Sequence, residues 1–386
     1  MTPFSRNSVP DAASEANASR IFLVAPPGLE AALAEEAAAL GLPPVAVQPG
    51  GVSIAGDWPE ILRANLWLRG ASAVLLRLAR FRAGHLSELD KRARKISWEE
   101  ALRPDRPVRI EAVCKRSRIY HSGAAVERVE TALRDRLGVE IRADAALRVL
   151  VRIERDVCEI SVDASGEPLH KRGFKQQTAK APLRETLAAP MLRLCGYRGS
   201  EPVVDPMCGA GTFPIEAAEI ALGLAPGRAR RFAFEDLAGF DPAAWDALKA
   251  KAAARPQPAG RPRMRGADRD AGAVAAARAN AERAGVGEVC DFAEQPVSAL
   301  ERPDGPPGLL IVNPPYGERI GGAKRLQPLY AAFGAVARER FSGWRVGLIT
   351  SEDALARATG LPFEPPGAPI PHGGLRIRLH RTGPLD

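Results

Sequence analysis

Two rhythms of apolar and polar residues run along this chain. In its first half Val108-Arg109-Ile110-Glu111-Ala112-Val113 and Leu147-Arg148-Val149-Leu150-Val151-Arg152-Ile153 alternate every second residue, which predicts strands with one buried and one wet face. Between them, residues 126–137 carry apolar side chains at helical spacing and predict an amphipathic helix. Residues 20–60 mix apolar runs with a helix expected over 29–40. From residue 166 onward, short apolar runs alternate with helix-like stretches, the pattern of a parallel doubly wound sheet. The expected organisation is a loose tail over 1–19, a small α+β unit over 20–60, a second α+β region over 61–165 and an α/β domain over 166–386. Residues 223–262, rich in alanine, proline and arginine, interrupt that last domain between its first and second strands. They are expected to form a solvated loop from which Arg228, Arg230 and Arg231 could reach an anionic partner.

The first strand of the α/β domain ends in Val203-Val204-Asp205 and runs through Pro206-Met207-Cys208-Gly209-Ala210-Gly211-Thr212 into a helical stretch. Strand, glycine turn and helix start in that order form the nucleotide-binding corner of a doubly wound sheet, where Gly209 and Gly211 let a ligand approach the backbone. Met264-Arg265-Gly266-Ala267-Asp268 then ends a second strand in an acid, the place where a ribose hydroxyl pair is held, so Asp268 is the ribose candidate. The loop lacks the G-x-G-x-x-G spacing of a dinucleotide fold, and the chain has no G-x-x-x-x-G-K-[ST] for a nucleoside triphosphate.

Ile311-Val312-Asn313-Pro314-Pro315-Tyr316 follows as a fourth strand and its turn. Prolines limit the backbone here, so the Asn313 side-chain oxygen and the Pro314 carbonyl can be held ready to accept both hydrogens of a planar amine, beside the aromatic face of Tyr316. An ordinary proline turn and a tyrosine packed under the sheet remain the plain alternatives for these residues. An acidic loop, a ribose acid and an amine-gripping turn together suit S-adenosylmethionine, whose positive sulfonium prefers a carboxylate-lined pocket.

These segments resemble the class I S-adenosylmethionine-dependent RNA methyltransferases that carry a THUMP domain, whose bacterial members methylate the exocyclic amine of guanine in 23S ribosomal RNA. The similarity extends over nearly the whole chain, through Leu23-Val24-Ala25-Pro26-Pro27-Gly28-Leu29-Glu30, Ala64-Asn65-Leu66-Trp67-Leu68-Arg69, residues 165–174 and Ala181-Pro182-Leu183-Arg184-Glu185-Thr186-Leu187-Ala188-Ala189. It implies a Rossmann-like methyltransferase sheet behind ferredoxin-like and THUMP regions that bind RNA. It also implies a cofactor site with Asp205, Pro206, Gly209, Gly211 and Thr212 around the methionine end and Asp268 on the ribose. The stretch from Pro182 to Thr186 would lie at the cofactor's carboxylate, and Asn313, Pro314 and Tyr316 at the reacting amine, with Asn313 touching both partners. Transfer RNA is the alternative substrate, and an assembly factor without essential catalysis the alternative role. The chain departs from the family where Pro296 replaces an expected acid after the third strand, leaving Glu294 or a backbone amide for adenine. It departs again in residues 371–379, which still predict a hairpin closing the sheet.

Charge changes the picture mainly by its location. The 386 residues carry a formal +8 and a pI near 9.5, and basic residues concentrate over 77–118, where Arg77, Arg80, Arg82, Lys91, Arg92, Arg94 and Lys95 are followed by Arg103, Arg106, Arg109, Lys115, Arg116 and Arg118 among interspersed acids. Phosphate contact by this half is expected, weakening as salt rises. Five cysteines form no C-x-x-C pair and no zinc set with the five histidines, so no metal is expected and a reducing cytoplasm is the simplest setting. No run of 18 apolar residues suggests a membrane span. Oligomeric state is not legible.

Overall fold

The structure, a computed structural model, describes residues 20–175, 183–256, 260, 262–316 and 322–386. In the first half the chain runs β1 (Ile21–Val24), α1 (Glu30–Ala39), β2 (Pro44–Gln48), β3 (Gly51–Ile54), α2 (Trp58–Trp67), β4 (Ala73–Arg82), α3 (Leu86–Ala93), β5 (Val108–Lys115), α4 (Ser122–Leu137), β6 (Leu147–Glu154) and β7 (Val157–Asp163). All seven strands join one sheet in the order β2-β3-β1-β4-β7-β6-β5, antiparallel except for β5 beside β6. The period-two pattern has the expected result: Leu147, Val149, Val151 and Ile153 of β6 are buried while Arg152 faces solvent. In α4, Ala125, Val129, Ala132 and Leu133 form the buried stripe, and Gly138 at φ 68° ends the helix in the left-handed conformation that glycine tolerates best.

The second half runs α5 (Glu185–Leu194), β8 (Val203–Asp205), α6 (Thr212–Ala221), α7 (Pro242–Ala253), β9 (Met264–Asp268), α8 (Ala271–Ala284), β10 (Cys290–Glu294), β11 (Leu309–Val312), α9 (Gly322–Arg340), β12 (Arg345–Thr350), α10 (Asp353–Ala358), β13 (Ile370–His372) and β14 (Leu375–Arg381). The sheet order is β10-β9-β8-β11-β12-β14-β13, with β8 to β12 parallel and the last two strands an antiparallel hairpin at the edge. Strand order reverses between β8 and β11, from which successive strands run outward in opposite directions across the sheet, and in doubly wound folds a ligand crevice opens at the carboxyl ends of such strands.

The segment between α6 and β9 corrects the expectation of a solvated loop. Phe232, Phe234 and Trp245 are buried in the core of the first sheet, with ring centroids 5.0–5.7 Å apart. Arg230 donates to the carbonyls of Glu167, Pro168 and Lys171, and Arg228 to those of Ala225 and Ala284. Only Arg231 is exposed, and it pairs with Glu235 and Asp236. An apolar aromatic trio outweighs the local arginine and proline content, so this segment straps the halves together.

A buried ion network fastens the same junction. Arg69, just after α2, pairs with Glu216 at 2.7 Å and Glu219 at 3.3 Å on α6, Arg172 pairs with Glu216 at 3.4 Å, and Arg228 with Glu219 at 2.6 Å. Glu36 accepts the backbone N–H groups of Arg69 and Gly70. Charges this deep are tolerated only when paired, and removing one partner of such a pair costs about 3–5 kcal/mol. The helix that starts at the glycine loop is thereby tied to the first sheet.

Candidate active site

Three carboxyl-end tips meet at the crevice. β8 lies between β9 and β11, and neighbouring strands stand about 4.8 Å apart, so Asp205, Asp268 and Asn313 project from adjacent tips within about 10 Å in the strand-pairing direction.

The β8–β9 corner is braced throughout. Asp268 accepts the Gly209 N–H at 3.0 Å with one carboxylate oxygen and the Asp270 N–H at 3.0 Å with the other. Cys208 N–H donates to the Ala267 carbonyl at 2.8 Å, and the Asn280 amide donates to the Ala210 carbonyl at 3.1 Å. Gly209 and Gly211 have φ of 51° and 86°, and a Cβ on Gly211 would stand 3.1 Å from both Ala277 Cβ and Ile215 Cδ1. Thr212 opens α6 and accepts a hydrogen bond from Lys175 Nζ at 2.9 Å, and that ammonium also pairs with Glu185 at 2.9 Å. The carboxylate lone pairs of Asp268 not used by the loop remain free for hydroxyl donors.

Asp205 is buried with Pro206 behind it, and it accepts the Met207 N–H at 3.0 Å. Burial, joined by the negative charge of Asp268 and opposed by the Met207 N–H, pushes its carboxyl up to about 8. The Cys208 thiol is driven well above its ordinary range by burial and by the charges of Asp205 and Asp268, which leaves it without thiolate character.

At the β11 tip the wiring differs. Leu309–Val312 are all buried, and beyond them Asn313 Oδ1 is buried with no hydrogen-bond partner among the described residues. Leaving a buried acceptor unmade costs about 1–3 kcal/mol. Pro314 is buried, and the Pro315 carbonyl accepts the Tyr330 hydroxyl at 3.2 Å. Tyr316 is half-buried between the cores on the two faces of the sheet, and burial pushes its phenol up to about 12. Arg319, which from the sequence is a candidate either to hold a substrate phosphate or to cap this turn, lies outside the described residues.

Other expectations fall around this centre. Thr186 is buried in the first turn of α5 and lines a cavity of about 240 Å³ with Pro26, Ser72, Arg184 and His372. Pro182 lies outside the described residues. Glu294 at the end of β10 stands opposite Asp268 in register, and Gln295 N–H donates to the Asp268 carbonyl at 2.9 Å. In the basic stretch, Arg80, Arg94, Arg103, Arg106 and Arg109 are occupied by carboxylates, whereas Arg82, Lys91, Arg92, Lys95 and Arg116 are exposed without an ion pair among the described residues. Sequence reasoning missed Lys175, Asn280 and Tyr330. Tyr330 alone left a trace, sharing one face of α9 with Leu326, Phe333 and Ala337.

The chain is similar to known methyltransferases. The profile of an RMKL-like methyltransferase domain matches residues 172–362, and that of an RlmL ferredoxin-like domain residues 20–75. A protein from Chromohalobacter salexigens named ribosomal RNA large subunit methyltransferase K/L is 36% identical over 95% of this chain and 51% of its own length. The chain thus spans about half the length of the K/L relatives it matches. A Synechocystis protein, slr0064, named as an RNA methyltransferase, is 32% identical over 91% of this chain and 93% of its own length. The solved methyltransferase SMU.472, complexed with SAH, superposes with a TM-score of 0.86 at 26% identity over 95% of this chain and 98% of that one.

Proposed function

The chain belongs to the RMKL-like family of S-adenosylmethionine-dependent methyltransferases, and from that premise we propose that it methylates the exocyclic amine of guanine in RNA, with 23S ribosomal RNA as substrate. One observation carries the choice of an amine: a buried amide oxygen on Asn313 with no donor among the described residues. Such an atom has a stabilising use only if a ligand donates to it, and a planar NH2 group supplies one hydrogen for Asn313 and one for the Pro314 carbonyl.

The residues fit the donor. The free lone pairs of Asp268 suit ribose hydroxyls, Asp205 and the backbone of 206–212 the methionine end, Thr186 its carboxylate side, and Glu294 the adenine side. When bound, S-adenosylmethionine supplies a methyl group activated on sulfonium. Asn313 and Pro314 hold the amine so that its lone pair faces the methyl, and their oxygens stabilise positive charge growing on nitrogen. No strong general base is required, because the alkylated amine loses its extra proton readily to water. Tyr316 stacks on the target base drawn out of its helix or loop, worth about 1–3 kcal/mol. The exposed cations Arg82, Lys91, Arg92, Lys95 and Arg116 supply phosphate contacts, consistent with RNA as the polymer.

Mass spectrometry of ribosomal and transfer RNA digests, from cells with and without the gene, tests both substrate and atom. Loss of one N2-methylguanosine from 23S RNA is the expected result. A lost mark in transfer RNA would move the substrate, and a lost mark on adenine or on a carbon atom would overturn the reading.

A further inference from the structure

Two successive acids just beyond the tip of β12 are used differently. Asp353 pairs with Arg378 at 2.6 Å and lies 3.6 Å from His380. Glu352 is half-buried, and its carboxylate makes no hydrogen bond or ion pair among the described residues. Its backbone is fixed all the same, since the N–H donates to Thr350 Oγ1 at 3.2 Å and the carbonyl accepts the Leu355 N–H at 3.0 Å. Strand pairing sets this carboxylate beside the Asn313 turn. β12 is the parallel neighbour of β11, and the register that pairs Val312 with Leu348 continues to Pro314 opposite Thr350, two residues before Glu352. With strands about 4.8 Å apart and a rise of about 3.3 Å per residue, the backbones of Pro314 and Glu352 lie within about 10 Å. Tyr330 spans that gap. Its hydroxyl donates to the Pro315 carbonyl at 3.2 Å, and its phenol is driven up by burial, against the Thr350 hydroxyl, with Tyr316 and the Glu352 charge adding to the rise. In the sheet, the glycine corner and Asp268 stand on one side of the β11 tip and Glu352 on the other.

We propose that Glu352 selects guanine, its carboxylate accepting the ring N1–H of the base whose amine Asn313 and Pro314 hold. The inference rests on the amine reading given above. Adenine, cytosine and guanine all carry an exocyclic NH2 group, so a grip on the amine alone admits all three. They differ at the ring nitrogen beside that amine. N1 of guanine bears a hydrogen, whereas N1 of adenine and N3 of cytosine present a lone pair, and a base drawn out of its stack is read along this edge. An ionised carboxylate only accepts hydrogen bonds. It therefore bonds to guanine N1–H and faces the lone pair of the other two bases with a charge of its own sign, and a polar group left unpaired in a closed site makes such rejection steep. Guanine offers N1–H and its amine side by side, so acceptors from two adjacent strand tips address both at once. Asp353 is already taken by Arg378, which leaves Glu352 as the acid at this tip with an open carboxylate among the described residues.

The test uses the full chain and unmodified 23S RNA, splint-ligated to carry either guanine or 2-aminopurine at the nucleotide that the digests identify. 2-Aminopurine keeps the amine and replaces N1–H by a lone pair. Wild type should prefer guanine in kcat/KM by about ten- to a hundred-fold, the range of one hydrogen bond to a charged group. Glu352→Ala should lower kcat/KM for guanine by a similar factor and bring the two RNAs within a few-fold of each other, with S-adenosylmethionine affinity by calorimetry within two-fold. Glu352→Gln should exceed the Ala variant on both RNAs, since its amide offers an acceptor to one base and a donor to the other. Equal losses on both RNAs with the guanine preference intact would reveal a structural role only and overturn the proposal. So would an unchanged guanine kcat/KM in Glu352→Ala, or a loss of donor affinity. Asn313→Ala run alongside separates the two claims, because both bases carry the amine it holds. If it is inactive on both RNAs while Glu352→Ala behaves as wild type, only the N1–H assignment fails. If it keeps full activity while Glu352→Ala loses the preference, the amine grip fails and the N1–H assignment stands. Digests without a methylated guanine would defeat the reading and this inference with it.

Discussion

The glycine corner after β8 and the proline turn after β11 are neighbours in one sheet and are built on opposite terms. In the corner, the loop N–H and C=O groups at 208–210 are held by Asp268, Ala267 and Asn280, so the acid proposed for the ribose is already oriented by its own protein. In the turn, Asn313 keeps a buried oxygen with no described partner, while Tyr330 clamps the carbonyl two residues on. The difference separates two tasks. A donor molecule rich in hydroxyls and charge needs a preset cradle, because every group reoriented on binding costs entropy. An amine that must be gripped only while it reacts needs acceptors left open, at a standing cost in stability.

That contrast can be broken most sharply at Asn313. Replacing it with Ala removes the open acceptor, and methyl transfer should fall by at least about 10²-fold, with donor affinity within a few-fold by calorimetry. Full activity would show the oxygen to be idle. Asp268→Ala attacks the preset side instead, and donor affinity should weaken by about 1.5–3 kcal/mol because charged hydrogen bonds are lost and the Gly209 N–H is left unbraced. Calorimetry giving wild-type affinity would place the ribose elsewhere.

Asp205 sharpens the comparison through pH. Its carboxyl rises from 3.8 to about 8 in the fold, so between those values the folded chain holds a proton that the unfolded chain has released. The stability it contributes is present at low pH and lost as pH climbs toward about 8. A bound sulfonium favours the ionised form, so donor affinity should rise with pH through this window by at most about ten-fold per unit. Asp205→Asn should flatten both trends, and a wild-type affinity that is level from pH 6 to 8 would detach Asp205 from the sulfonium. The smallest effect is expected at Tyr330→Phe, which frees the Pro315 carbonyl at a cost of about 1 kcal/mol. It should slow transfer a few-fold without touching donor affinity. An unaltered rate would make the clamp structural only.

Much of this was legible beforehand because local rules and tertiary demands coincide. Period-two strands, the Gly209 and Gly211 turn and the acids closing β8 and β9 each follow from backbone geometry that only certain residues satisfy. The insertion over 223–262 was misjudged because its arginines and prolines are local signals of solvent, while the value of Phe232, Phe234 and Trp245 depends on a core supplied by another sheet. Likewise, arginine count overstated the free basic surface, since Arg94, Arg103 and Arg109 turn to nearby carboxylates once folded.

Taken alone, then, the order of residues determined the fold class and marked the candidates for a cofactor corner and an amine-gripping turn, because each is written in contiguous motifs whose chemistry is local. Which acceptor stays open, which cations stay unpaired and where a cavity joins the two sheets were decided by the tertiary structure. Those properties belong to pairs of groups far apart in the chain, and only packing determines whether a partner arrives.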